Sequence, residues 1–309
     1  MSRSLRLLAP VLAALVVTSG CGSDEPSPKS GTLQLVSTTT QLADLARNVA
    51  GDRADVRGLL KPNADPHDYE VRPSDIDGLS DARVVLQSGG DLDGWLGGAV
   101  QNAGGSPTVI KLTDSVKTTG DDPHWWQDPR NAVVAVRKIR DALSEADPPN
   151  ARAYGANANS YIADLDSLDS AVAACVGRIP SSGRKLVTTH DALGYYAQRY
   201  GIEVIGAVIP SLSTRGQPSS GETAELAKTI RRERVKTIFA ESSVNPKVEQ
   251  AIARESGASI GRPLYADTLG PKGSAGDTYV KSIQANTKAL IAGFSQGTER
   301  CDFPALVSR

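Results

Sequence analysis

The sequence predicts an α/β protein of two lobes, each a mostly parallel sheet with flanking helices, joined by one long rigid interdomain helix. Short apolar runs alternate with amphipathic segments in two successive series, as in parallel strands connected by helices. Between the two series, apolar residues recur at spacings of three and four from Tyr154 to Cys175, which predicts a single helix. At 309 residues the chain is long enough for two cores. The expected boundaries are 31–148 for the N-terminal lobe, 149–178 for the interdomain helix and 179–309 for the C-terminal lobe.

The N-terminal lobe is expected to hold four strands and four helices. Apolar runs predict the strands at 33–37, 56–60, 83–87 and 108–112. Helix starts are predicted at the threonines 38–40, at the Ser-Gly-Gly turn 88–90, and at two prolines suited to a first helical turn, Pro73 and Pro129. This alternation indicates a mostly parallel sheet covered by helices on both faces.

The C-terminal lobe is expected to repeat this alternation. Strands are predicted at 185–188, 203–209, 235–240 and 260–264. Helices are predicted from the segment after His190 to Tyr200, and at 222–234, 246–256 and 278–294. A polar loop, 211–221, separates the second of these strands from the helix that follows it.

The N-terminus is expected to be an export signal. Two arginines precede an apolar run of 11 residues, Leu7 to Val17, which is too short to span a bilayer and typical of a signal peptide. Small residues stand before Cys21 as in a bacterial lipobox, so we expect residues 1–20 to be removed and Cys21 to be lipidated. Residues 21–30 would then form a flexible tether to the outer face of the cell membrane. The alternative is an ordinary secretory signal in which Cys21 is incidental.

Charge and composition argue against a nucleic-acid partner. The chain has 34 basic and 35 acidic residues, a net charge of −1. Residues 1–20 contain two arginines and no acidic residue, so their removal leaves −3 (32 minus 35). No stripe of basic residues interleaved with aromatic residues occurs, and such a stripe is the usual footprint of nucleic-acid binding.

Two cysteines besides Cys21 are expected to pair with each other. Cys175 and Cys301 form an even pair in a chain predicted to be exported, and disulfides persist outside the cytoplasm. The alternative is that Cys175 is a small buried residue on the apolar stripe of the long helix. No Cys-x-x-Cys spacing suggests that this pair binds a metal.

The three histidines of the chain, His67, His124 and His190, each lie beside a predicted strand and loop. Neutral imidazole is a common nitrogen ligand for zinc and related ions, so we predict that the three converge on one metal ion. Asp267, on the loop after the last predicted strand, is the predicted fourth ligand. Two ligands from each half of the chain would place the ion in the interlobe cleft. Taken singly, each histidine also fits a structural role, and Asp267 also fits a helix cap.

Five motifs along the chain resemble the TroA/ZnuA-like (cluster 9) family, the solute-binding lipoproteins of bacterial zinc and manganese ABC importers. The motifs are Pro66-His-Asp-Tyr-Glu70, Asp122-Pro-His-Trp-Trp-Gln-Asp-Pro129, Thr189-His-Asp-Ala-Leu-Gly-Tyr-Tyr196, Phe239-Ala-Glu-Ser-Ser-Val244 and Asp267-Thr-Leu-Gly270. The resemblance covers residues 33–295. It implies a monomeric, extracytoplasmic metal-transport protein that passes its ion to the permease and ATPase of an ABC importer. It also implies that the residues ligating the metal are His67, His124, His190 and Asp267, and that the helix 151–176 limits domain motion.

The third histidine bears on the identity of the metal. By the resemblance, manganese specialists tend to carry glutamate at the position of His190, and members with three histidines and one aspartate take either ion. A nitrogen-rich ligand set favours zinc over manganese, so one Zn²⁺ per chain is expected, with Mn²⁺ as the second choice. The histidine-rich loop of many zinc-binding members is missing here, since 113–122 contains no histidine.

Four carboxylates are predicted to accept hydrogen bonds from the ring nitrogens that do not bind the metal. These are Asp65, Asp128, Asp191 and Glu241. Asp128 and Asp191 fit helix capping, or a charge in a first helical turn, equally well. At least one of Trp125 and Trp126 is expected in the core, and the other interpretation is that they line the cleft.

The main alternative function is a zinc-dependent hydrolase with an open metal site. It would require that Asp267 is not a ligand and that Glu241 acts as a general base, and HExxH does not occur. A nucleotide-binding, dehydrogenase-like protein is suggested only by the α/β alternation, because GxGxxG is absent. An adhesin role, assigned to exported members of the family, would be a second function in addition to metal binding. The expectation is a binding protein and not an enzyme, with no catalytic residue.

Overall fold

The computed structural model describes residues 31–303, which form a two-lobed α/β fold. The predicted signal peptide, Cys21 and the tether lie outside the described residues, as does 304–309. The strands are β1 Leu33–Ser37, β2 Ala54–Gly58, β3 Val84–Gln87, β4 Thr108–Lys111, β5 Lys185–His190, β6 Glu203–Ile209, β7 Thr237–Ile238 and β8 Ser259–Ile260. The helices are α1 Thr40–Ala50, α2 Pro73–Asp81, α3 Leu96–Ala103, α4 Pro129–Ala146, α5 Ala151–Gly177, α6 Gly194–Tyr200, α7 Ser220–Glu233, α8 Lys247–Ser256 and α9 Tyr279–Ser295. Among residues 31–303, no helix combines the length and the apolarity needed to cross a lipid bilayer.

The N-terminal sheet is fully parallel, with the strand order β2-β1-β3-β4. Successive residues of a strand face opposite sides of a sheet, and both sides are apolar here. Leu35 packs in the core cluster that contains α1 and α4, whereas Val36 packs with α2 and α3. Helices therefore cover both faces, as the alternation of the sequence predicted.

The C-terminal sheet consists of two parallel pairs, β5 with β6 and β7 with β8. A single bridge between Thr188 and Phe239 joins the pairs, so that the strands run in the order β6-β5-β7-β8. The runs predicted as strands at 235–240 and 260–264 form only two ladder residues each. The reason is an irregularity at Arg262 and Pro263: the Gly261 N–H bonds the Ile238 carbonyl, Pro263 has no N–H to continue the ladder, and the Leu264 N–H then bonds the Ala240 carbonyl.

Two strand boundaries differ from prediction near the histidines. β2 begins and ends two residues earlier than expected. Leu59 still donates its N–H to the Ser37 carbonyl of β1, but Leu59 and Leu60 are buried beyond the last paired residue, Gly58. β5 is longer than expected and includes His190 as its last residue, paired with Ile209 of β6. The strand ladder itself therefore fixes the backbone of this histidine.

The interdomain helix α5 contains 27 residues, which makes it about 40 Å long at 1.5 Å per residue. Its buried residues include every member of the predicted stripe, from Tyr154 to Cys175. α5 packs against α1 and α4 of the N-terminal lobe and against α6 and α9 of the C-terminal lobe. One continuous apolar cluster therefore runs along α5 through both lobes, which stabilises their connection. Asn150 precedes the first residue of α5 but makes no side-chain capping bond, because a 3-10 turn at 148–150 leads directly into the helix.

Cys175 and Cys301 form a disulfide in the structure, with their Cα atoms 5.7 Å apart. The bond links the last turns of α5 to the segment after α9, across 126 residues of sequence. Both cysteines are buried, so the bond lies within the apolar cluster that contains α5 and α9.

Replacing both cysteines with alanine is expected to lower the free energy of unfolding by about 2–4 kcal/mol, because the bond closes a long loop in the unfolded chain. Urea denaturation of the double variant and of the wild type, with and without reductant, would measure this. Reduced wild type is the matched control, since it loses the bond but keeps the sulfur atoms. Equal midpoints for oxidised and reduced wild type would contradict the prediction.

Candidate metal centre

Two of the three histidines are held by the same local structure, an Asp-Pro-His turn. In Asp65-Pro-His67 and again in Asp122-Pro-His124, the aspartate Oδ1 accepts a hydrogen bond from the histidine N–H at 2.9 Å. An aspartate side chain commonly closes such a turn on the backbone two residues later, and the fixed φ of proline suits it. The repeat orients both histidines from loops of the N-terminal lobe.

The other two residues come from the C-terminal lobe. His190 ends β5, and Asp267 lies three residues beyond the bridge between Glu241 and Leu264. The carboxyl ends of parallel strands meet at one edge of a sheet, where α/β folds place their ligand sites.

The loop that carries Asp267 is fastened to the N-terminal lobe on both sides of the aspartate. The Ala266 carbonyl accepts hydrogen bonds from Trp126 Nε1 at 3.0 Å and from Gln127 Nε2 at 2.7 Å. On the other side, the Leu269 N–H donates to Thr40 Oγ1 at 2.9 Å. Backbone contacts thus hold the loop, which leaves the Asp267 carboxylate free to face the cleft.

His67, His124, His190 and Asp267 converge in one buried group. One ligand atom of each lies within 4.8 Å of the others. Nε2 of His67, His124 and His190 lies 3.3, 3.3 and 3.2 Å from the Asp267 oxygens, and the Nε2 atoms of His124 and His190 are 3.3 Å apart. Ligands placed 2.0–2.1 Å from a tetrahedral zinc ion would be about 3.3–3.4 Å apart. These four separations are close to that range, and the ligand atoms all lie within 4.8 Å of one another, so the group suits one small ion.

Three polar atoms of this group lack a hydrogen bond within residues 31–303. They are His67 Nε2 and both carboxylate oxygens of Asp267. Asp267 is 1% exposed, and a buried carboxylate without hydrogen bonds is destabilising unless a positive charge compensates it. The donor set is thus arranged for a cation.

The carboxylates shift the pKa values of two imidazoles strongly upward. Burial lowers the pKa of His124, but Asp267 and Asp122 outweigh it and raise the pKa to about 9. Burial also lowers the pKa of His190, and Asp267 with Glu241 raises it to about 11. Burial would raise the pKa of Asp267, but its neighbouring histidines hold that pKa well below its ordinary value. A metal ion must therefore displace protons from these imidazoles.

Carboxylates hold the far ring nitrogens of two histidines. Glu241, one of the four predicted carboxylates, has its Oε1 2.5 Å from His190 Nδ1. Asp122 Oδ1 lies 2.8 Å from His124 Nδ1, a contact that the sequence analysis did not predict. The sequence did contain a signal for this role, because Asp122 precedes His124 in an Asp-Pro-His sequence like the one that contains Asp65 and His67. Each carboxylate favours the tautomer with hydrogen on Nδ1, so that Nε2 presents its lone pair to the centre.

Three predicted supporting carboxylates do not contact an imidazole ring, which corrects those predictions. Asp65 accepts the backbone N–H of His67 and not a ring N–H. Asp128 caps α4 and pairs with Arg130, because Pro129 starts the helix directly after it. Asp191 is exposed, since the chain leaves the sheet edge as β5 ends.

Both tryptophans beside His124 are buried. Trp125 is part of the core and donates from Nε1 to the Ser88 carbonyl at 3.3 Å. Trp126 packs edge-on against His124, with ring centroids 5.5 Å apart. Trp125 therefore belongs to the core, and Trp126 belongs to the core and also packs against a ligand of the centre.

Residues 35–293 match the family model of ZnuA, the periplasmic component A of the zinc-uptake complex. The manganese-binding lipoprotein MntA of Bacillus subtilis is 34% identical over 303 residues, which cover 92% of this chain and 98% of that protein. The metal ABC transporter substrate-binding lipoprotein SloC of Streptococcus mutans is 29% identical over 309 residues, covering 95% and 100%. The structure of the periplasmic zinc-binding protein TroA of Treponema pallidum matches with a TM-score of 0.79 at 28% identity, covering 85% of this chain and 99% of that chain.

Proposed function

Because this chain belongs to the ZnuA family, we propose that it captures a divalent transition metal ion between its lobes and delivers it to an ABC importer. The family consists of solute-binding proteins and not of enzymes. The observation that carries the proposal is the convergence of His67, His124, His190 and Asp267 in one buried group. A permease and an ATPase in the membrane would be the partners, as the name of the SloC relative indicates.

We favour zinc as the cargo, with manganese as the second choice. Three imidazole nitrogens and one carboxylate form a nitrogen-rich set, and the ligand separations of 3.2–3.3 Å suit tetrahedral zinc. Manganese prefers oxygen ligands and an octahedral site, which would need donors beyond these four residues. The MntA relative is named for manganese, and the similarity to it keeps that ion as the competitor.

The hydrolase alternative is not favoured by this geometry. A catalytic zinc ion keeps one position open for water and needs a general base nearby. Asp267 lies against all three histidines, where it would fill the fourth position. Glu241, the candidate base, is engaged with His190 Nδ1 and faces away from the centre.

We also propose the domain organisation and the attachment to the membrane. The lobes would comprise 31–148 and 179–309, with 149–178 as the interdomain helix, and the protein would act as a monomer. A lipid on Cys21, after removal of residues 1–20, would anchor it to the outer face of the cell membrane. The relatives named as lipoproteins support this anchoring.

Competition between zinc and manganese tests the proposed cargo. We expect the mature protein from residue 22, stripped of metal, to bind one zinc ion per chain with a large rise in melting temperature, because a ligand that binds only the folded state stabilises it. Zinc is expected to displace manganese in a mixed titration. Preference for manganese would overturn the choice of zinc but keep the site. No stoichiometric binding of either ion would overturn the four-ligand site.

A further inference from the structure

A loop of the C-terminal lobe crosses the cleft and contacts the turn that carries His67. We call residues 210–219, between β6 and α7, the crossing loop. Thr214 Oγ1 donates a hydrogen bond of 2.6 Å to Asp65 Oδ2. Next to it, Arg215 Nε lies 3.3 Å from Asp68 Oδ1. Both contacts join the two lobes within two residues of His67.

Asp65 connects this loop to a metal ligand. Its Oδ1 accepts the backbone N–H of His67 at 2.9 Å, and its Oδ2 accepts the Thr214 hydroxyl. One carboxylate thus holds the ligand of one lobe and a hydroxyl of the other. Hydrogen bonds to an ionised acceptor are stronger than those between neutral groups, so the bond from Thr214 to Asp65 is strong for a single hydrogen bond.

The base of the crossing loop is fixed beside the third histidine. The N–H of Asp191, the residue after His190, donates to the Ser211 carbonyl at 3.0 Å. Ser211 Oγ then accepts the Ser213 N–H at 3.1 Å, which folds the loop back on itself. At Gly216 an added Cβ would lie 2.6 Å from the Ile209 side chain, so the loop is pressed against the end of β6. The loop therefore runs from the His190 side of the cleft to the His67 side.

We propose that Thr214 is a positioning residue that sets how long the metal ion stays bound. This inference rests on the proposed function. Releasing the ion requires the lobes to part, and parting must break the bond between Thr214 and Asp65. A contact present only in the closed state slows dissociation and leaves association nearly unchanged. The ion pair of Arg215 with Asp68 contributes little, because both side chains are about two-thirds exposed and screened by water.

The rate of zinc release tests this role. Zinc-loaded protein is mixed with excess chelator, and release is followed by stopped-flow for the wild type and for Thr214→Val, Thr214→Ser and Thr223→Val. We expect Thr214→Val to release zinc about ten-fold faster, the usual effect of losing a hydrogen bond to a charged group. Thr214→Ser keeps the hydroxyl and should release within about two-fold of wild type. Thr223→Val is the matched control, since the Thr223 hydroxyl bonds only the Ser220 carbonyl within α7.

Each outcome of this experiment supports or overturns the inference. Wild-type release rates in Thr214→Val, or equally fast release from Thr214→Ser, would show that the hydroxyl does not hold the ion. If Thr223→Val released zinc as fast as Thr214→Val, the faster release would result from any Thr→Val change in this region and not from loss of the bond to Asp65. In a variant that also carries Asp65→Ala, Thr214→Val should add no further acceleration. Absence of both zinc and manganese binding by the wild type would overturn the proposed function itself, and the loading step detects this before any variant is compared.

Discussion

Replacement of Asp267 with alanine is expected to abolish tight metal binding while both lobes stay folded. Asp267 contributes the only negative charge among the four ligands, and its oxygens lie within 3.3 Å of all three Nε2 atoms. The loss of affinity should be at least about 100-fold, since removal of a mere supporting partner already costs 10–100-fold. The fold should survive because backbone contacts of Ala266 and Leu269 hold this loop, not the aspartate side chain.

Competition with a chromophoric chelator would measure the affinity of this variant, and circular dichroism would check its fold. Asp191→Ala is the matched control, because Asp191 follows His190 directly but is exposed. The control should bind zinc as tightly as the wild type. Zinc affinity of Asp267→Ala within about three-fold of the wild type would rule out Asp267 as a ligand, because losing a true ligand costs far more.

Metal affinity is expected to fall steeply as the pH is lowered from 9 to 6. The pKa of His124 is raised to about 9 and that of His190 to about 11, so both imidazoles hold protons at neutral pH until the ion displaces them. Each displaced proton makes affinity change about ten-fold per pH unit below the raised pKa.

The stability of the metal-free protein depends on pH in the opposite direction, falling as the pH rises. The stability that His124 contributes is full below its unfolded pKa of about 6.5 and is lost as the pH rises through about 9.

Zinc titrations in a series of buffers from pH 6 to 9 would measure this dependence, and the proton release per ion would confirm its origin. Asp122→Asn is the informative variant. It removes a carboxylate that raises the pKa of His124, so its affinity should decline at a lower pH than that of the wild type. Affinity that is constant from pH 6 to 8 would contradict binding through imidazole.

Local patterns were sufficient for much of the fold and for the candidate ligands. The stripe from Tyr154 to Cys175 predicted α5 because helix periodicity depends only on neighbouring residues. The three histidines and Asp267 were singled out because each lies beside a predicted strand and loop, and the motifs that resemble the family implied that the four form one site. Prolines and threonine caps marked several helix starts for the same local reason.

The sequence by itself therefore determined the order of strands and helices, the two lobes and the four residues of the centre. Only the tertiary structure decided which carboxylates hold the imidazoles, since Asp122 and Asp128 both lie near His124 in sequence and only Asp122 reaches its ring, while Asp128 caps α4. Likewise, only the tertiary structure brings Thr214 to Asp65, across 149 residues of sequence. Long-range contacts depend on how the lobes pack together, whereas sequence periodicity indicates only which face of a helix or strand is buried.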